Sequence, residues 1–178
     1  PLVRIAEGRT PFQVFKDVRF LGNSRVDPCS KILKRQLLGK WLKENCDPQQ
    51  TLVAMGFDWS EEHRLQRLRQ YDTTWQRWAP LLNPPWQDKN QLIAQLRVEG
   101  IEPPRLYELG FQHNNCGGAC VKAGQAAWAL LLREFPERYW EWETNEASLR
   151  TMLGKNVTIL KDRRCGTTRP MTLTEFRT

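Results

Sequence analysis

Apolar residues along this chain come in short blocks, most of them closed by Gly, Pro or Asn. Val3 and Ile5 alternate with polar neighbours up to Gly8, which predicts a short opening strand. Thr10-Pro11 marks a turn or the start of the Phe12–Phe15 segment. Asp27-Pro28 and Ser30 precede a helix over about Lys31 to Glu44, with Leu33, Leu37, Leu38, Trp41 and Leu42 on one stripe. Thr51 to Phe57 reads as a buried strand. Ser60-Glu61-Glu62 starts a helix that continues through Leu65 and Leu68. Trp78 to Leu82 is another short apolar run, in which Pro80 argues for a sheet edge or a strand end. Asp88 and Gln91 form a capping-box pattern for a helix closed by Gly100. After a stretch rich in Gly and Cys, helices follow from about Ala123 to Phe135 and from Pro136 to Leu153. Val157 to Leu160 predicts a last strand, and Thr172 with Glu175 a second capping box.

Strands alternating with helices predict an α/β fold, with a sheet of mostly parallel short strands flanked by helices. Residues 1–135 are read as the α/β domain and residues 136–178 as a helical extension with a short strand. The absence of an initiator Met, with an alternating apolar pattern at the very start, implies that the N-terminal part of the fold is missing.

Composition narrows the chemistry. The formal charge of +7 favours anionic partners, either nucleotides or nucleic acid. No apolar run is long enough to span a membrane, so no membrane association is expected. Five unevenly spaced cysteines do not form a secreted disulfide framework, and a cytoplasmic location is expected.

The densest chemistry lies in Gly110-Phe111-Gln112-His113-Asn114-Asn115-Cys116-Gly117-Gly118-Ala119-Cys120. Two thiols and an imidazole with H-x2-C-x3-C spacing, where a loop enters a helix, suit a metal, iron–sulfur or redox site, or else buried structural thiols. Cys29 opens a basic helix carrying Lys34 and Arg35, where cations and a helix start would lower a thiol pKa and attract an anion. Arg64 follows a strand and loop and can reach an anionic ligand through its planar fork. Cys165, in Asp162-Arg163-Arg164-Cys165-Gly166, is either a nucleophile in a basic setting or incidental. The eight tryptophans serve packing or base stacking.

Taken in order, residues 27 to 122 resemble the phosphoadenosine phosphosulfate (PAPS) and adenosine phosphosulfate (APS) reductase family, within the adenine nucleotide alpha-hydrolase (PP-loop ATP pyrophosphatase) superfamily. The residues that carry the resemblance are Asp27-Pro28-Cys29-Ser30-Lys31-Ile32-Leu33-Lys34-Arg35, Leu52 to Phe57 with the loop to Arg64, and Pro104-Arg105-Leu106-Tyr107-Glu108-Leu109-Gly110-Phe111 leading into Cys116 and Cys120. The resemblance implies an adenine nucleotide or sulfonucleotide as partner. It also implies Lys34, Arg35 and Arg64 as anion contacts, and Cys29, Cys116 and Cys120 as ligands of a 4Fe–4S cluster, with His113 or an external group as the fourth. The implied activity is sulfonucleotide reduction or adenylation-coupled sulfur transfer. This chain has Cys29-Ser30 where the family carries tandem cysteines, and C-x3-C where the family carries C-x2-C. The Ser-Gly-Gly-x-x-Ser phosphate loop is absent and would belong to an upstream segment. The alternative is a zinc-stabilised, catalytically inactive module associated with nucleic acid.

Overall fold

A computed structural model describes residues 2–178, without the side chain of Cys165, so the reading of Cys165 as a nucleophile lies outside the described residues. The chain divides into two compact units, one of Pro1–Leu38 with Pro104–Thr178 and one of Gly39–Pro103.

The first unit begins with α1 (Pro11–Asp17), started by a reciprocal capping box between Thr10 and Gln13. α2 (Pro28–Ser30) runs into a π-helical stretch, Lys31–Gln36, and then into α3 (Leu37–Asn45), which lies almost wholly in the second unit. α6 (Arg105–Glu108) leads to the cysteine loop, and α7 (Gln125–Glu134) packs on α8 (Pro136–Leu153). Pro136 sits at the first helical position of α8, where its missing N–H costs nothing, and Gly154 ends the helix in the left-handed conformation. β3 (Leu160–Asp162) pairs antiparallel with β4 (Arg169–Met171), and α9 (Leu173–Arg177) starts at the Thr172–Glu175 capping box.

The core of this unit is aromatic. Trp128, Tyr139, Trp142 and Phe12 meet edge to face, with ring centroids 4.6–6.0 Å apart. Tyr139 Oη donates to the Leu173 carbonyl at 2.7 Å, which ties α8 to α9. Glu146 on α8 is 1% exposed. Its carboxylate accepts from Ile159 N at 2.8 Å and from Leu173 N at 2.7 Å, so one side chain fastens both the approach to β3 and the start of α9. Burial raises the Glu146 pKa against the pull of those two N–H groups.

In the second unit, β1 (Leu52–Ala54) pairs in parallel with β2 (Gln76–Trp78) in the register Val53 opposite Arg77. α4 (Glu62–Tyr71) crosses between them and α5 (Lys89–Val98) follows, capped reciprocally by Asp88 and Gln91. The core here is small, built on Phe57, Leu65 and Ala79.

The α/β character and a parallel pair are present, but several expected strands differ. Residues 2–10 form no strand: Leu2, Val3 and Ile5 are exposed, and alternation without a partner strand yields no ladder. β1 is not buried, because a two-stranded sheet shelters only its central residues, and Leu52 is 55% exposed. Trp78 closes β2, and Pro80–Leu82 turns into a 3-10 helix, as a proline without an N–H favours. The last strand begins at Leu160, where the expected segment ends.

Candidate functional site

The cysteine loop is shaped by three successive left-handed residues. Cys116, Gly117 and Gly118 have φ of 52°, 58° and 89°. A Cβ at Gly117 would meet the Arg138 guanidinium at 2.5 Å, and one at Gly118 would meet the Phe111 ring at 2.8 Å. Backbone conformation therefore favours glycine at both positions, and close packing on the Phe111 ring adds to this at Gly118, whereas the end of the Arg138 side chain at Gly117 could move aside. Cys116 holds the same conformation with a side chain, at a cost of roughly 1–2 kcal/mol.

This turn brings the two thiols of the loop together, and the Cys116 side chain is hydrogen-bonded to that of Cys120. That bond, followed by burial and the field of Cys120, pushes the Cys116 thiol well above its ordinary value, while Lys34 pulls it down. Cys120 receives the bond and falls to about 6, against the effect of burial and helped by the backbone N–H groups of Lys122 and Ala123 and the charge of Lys34. Cys29 lies close enough for its field to act on Cys116 and for that of Cys120 to act on it. Burial raises the Cys29 thiol, with Asp27 and Cys120 adding to the rise against the N–H of Ser30.

Two expectations are corrected here. Cys120 does not enter a helix: α7 begins at Gln125 after Gly124, and the N–H groups near the sulfur belong to a turn. Cys29 is not activated by its basic helix, because desolvation and Asp27 outweigh the helix-start N–H groups.

Asp27 organises the cations around Cys29. Its carboxylate is 4.0 Å from Arg35 and 3.9 Å from Lys122, so Arg35 is partly neutralised by a neighbour. Lys34 is exposed and its charge reaches both Cys116 and Cys120. His113 is exposed in the preceding loop, while the shifts of the three thiols come from one another, from Lys34 and Asp27, and from backbone N–H groups. Arg64 belongs to Gly39–Pro103, where it pairs with Glu61 and its guanidinium lies 4.5 Å from the centroid of the Phe57 ring.

Arg138 is the residue that sequence reasoning missed. It projects from the first turn of the 18-residue α8 onto Gly117, is exposed, and has no carboxylate partner among the described residues. The only sequence signal was the Gly-Gly step, which marks a close approach without saying what approaches.

Among the described residues, no three or more of His, Cys, Asp and Glu are grouped as a metal's ligand set. The donor chemistry still fits an iron–sulfur group in kind, because three thiols lie within one another's electrostatic reach beside a lysine. Among the described residues, no helix is long and apolar enough to cross a membrane. No family model, curated protein or solved structure matches the chain.

Proposed function

We propose that this chain is a PAPS reductase-like module of the PP-loop class. It binds an adenine nucleotide or sulfonucleotide and acts in sulfonucleotide reduction or adenylation-coupled sulfur transfer. Cys29, Cys116 and Cys120 would hold a 4Fe–4S cluster, with the fourth position open to His113 or to an external group. The observation that carries this reading is the electrostatic influence of Cys29 and of the Cys116–Cys120 pair on one another, across 87 residues of sequence between Cys29 and Cys116, with Lys34 acting on Cys116 and Cys120. When bound, the cluster would supply electrons or a Lewis-acidic iron. The protein's own side chains supply the anion chemistry. Lys34, Arg35 and Arg138 present positive charge to a phosphate or sulfate beside the half-buried thiols.

Charge distribution gives further support. The unit that carries Cys29, Cys116 and Cys120 holds 19 Lys and Arg against 11 Asp and Glu, whereas Gly39–Pro103 holds eight against nine. The basic character of the chain thus lies with these three thiols, where an anionic substrate would need it.

Anaerobic purification with a visible spectrum and iron, sulfide and zinc analysis tests the cluster. Iron with labile sulfide and broad visible absorption is expected, reduced in C29S, C116S and C120S alike. One zinc per chain without colour would overturn the cluster and favour the nucleic-acid-associated module. Binding of adenosine phosphosulfate, weakened in K34A, tests the substrate class separately.

A further inference from the structure

Gly39–Pro103 contains a cavity that the thiolate site does not use. Its volume is about 950 Å3, at the upper end of the range for small-molecule sites. Trp78 and Ala79, at the carboxyl end of β2, form one wall, which is where open α/β sheets bind ligands. α4 presents Glu62, Leu65 and Arg69 to it, one face at helical spacing.

Its distinguishing feature is three indoles. Trp59, Trp78 and Trp86 all line the cavity and remain 53%, 47% and 65% exposed, whereas Trp75, Trp128 and Trp142 are buried in packing. Trp86 is held in place because its Nε1 donates to the Leu82 carbonyl at 3.0 Å. Indole faces left open around one concavity suit a flat ring.

Charge selects the kind of ring. The lining carries the carboxylates of Glu62 and Asp88 against the single guanidinium of Arg69, which donates to the Arg77 carbonyl at 3.1 Å. Glu62 accepts from Gln66, and Asp88 is engaged in its capping box. Such a lining offers little to a phosphate and repels a polyanion.

We propose that this cavity is a binding site for a small neutral compound carrying a planar heteroaromatic ring, of the nucleobase or nucleoside class, stacked on Trp59, Trp78 and Trp86. The site is separate from Cys29, Cys116 and Cys120, which belong to the other unit.

Titrating the full chain with adenosine, guanosine, cytidine and uridine, followed by tryptophan emission and calorimetry, tests the proposal. Saturable binding of at least one nucleoside is expected. Its affinity should be the same in low and high salt and no better for the 5′-monophosphate. It should fall about tenfold in W59A and in W86A, and be largely kept in W59F and W86F. Because both tryptophans are exposed, these variants should retain the wild-type circular dichroism. The proposal is overturned if none of the four nucleosides binds, or if W59A and W86A bind as well as the wild type. It is equally overturned if a single-stranded oligonucleotide outcompetes the nucleoside and is released as salt rises.

Discussion

The two units of this chain treat aromatic residues and charge in opposite ways. The unit that carries Cys29, Cys116 and Cys120 buries Trp128, Trp142, Tyr139 and Phe12 in one core and leaves an excess of basic side chains outside. Gly39–Pro103 has a small core cluster of Phe57, Leu65 and Ala79, nearly balanced charge, and three indoles lining an open cavity. Trp128 and Trp142 thus provide packing in one unit, whereas Trp59, Trp78 and Trp86 offer exposed ring surface in the other, beside a buried Trp75. Net charge read over the whole chain conceals this division, because the positive excess lies entirely outside Gly39–Pro103.

The sharpest way to break this contrast is to attack each core. E146A strands the Ile159 and Leu173 N–H groups in the interior and should destabilise the unit that carries Cys29, Cys116 and Cys120 by about 2–5 kcal/mol. L65A should cost Gly39–Pro103 about 2–4 kcal/mol. Hydrogen exchange on each variant gives the test, since each loss should fall mainly on its own unit. Equal losses in both units for either variant would dissolve the division. E146Q, which keeps an acceptor, should lose less than E146A.

A second test concerns the cations. Phosphate or sulfate should protect Cys120 from alkylation, and the protection should fade with salt. R138A should weaken it about tenfold, and R138K by less, because a lysine lacks the planar fork. Unchanged protection in R138A would remove Arg138 from the anion site.

The smallest effect is on pH dependence, and here two carboxylates of the same unit oppose each other. Asp162 is held below its ordinary range by Arg164 and Arg169. Its contribution to stability is full above the ordinary carboxylate pKa of about 4 and is lost as pH falls through its depressed value. Glu146 is raised by burial, so its contribution is present below the ordinary value and is lost as pH rises through the raised one. Acid unfolding of D162N should therefore be shallower than that of the wild type, and the stability of E146Q should fall less as pH rises. Parallel curves for all three proteins would show that neither carboxylate governs the response.

Local signals in the sequence were the reliable ones. The Asp88–Gln91 and Thr172–Glu175 boxes, Pro136 at a helix start and the Gly100 stop involve residues three or four apart and appear as expected. The strands were less legible, because a strand depends on a partner that its own residues do not specify: Val3 and Ile5 alternate correctly and pair with nothing. At the site, the electrostatic influence of Cys29 on Cys116 and of Cys120 on Cys29 could not be read from spacing. Arg138 was invisible because its relation to Gly117 is set by the entry angle of α8 onto the loop, a tertiary fact. The state of Cys29 was misjudged because a basic helix start is visible in sequence, whereas desolvation is not.

Glu146 also makes the segment from Ile159 to Leu173 a condition of the rest. Its two donors, Ile159 and Leu173, both lie in the last twenty residues, so peeling that segment away leaves a carboxylate in an aromatic interior with nothing to bind. The tail then acts as a fuse. A chain clipped after Leu153 should not persist as a shortened but working protein; its core should open and mark the chain for clearance. Whatever this protein does with its thiols, it can do only while the segment holding Ile159 and Leu173 stays docked on Glu146.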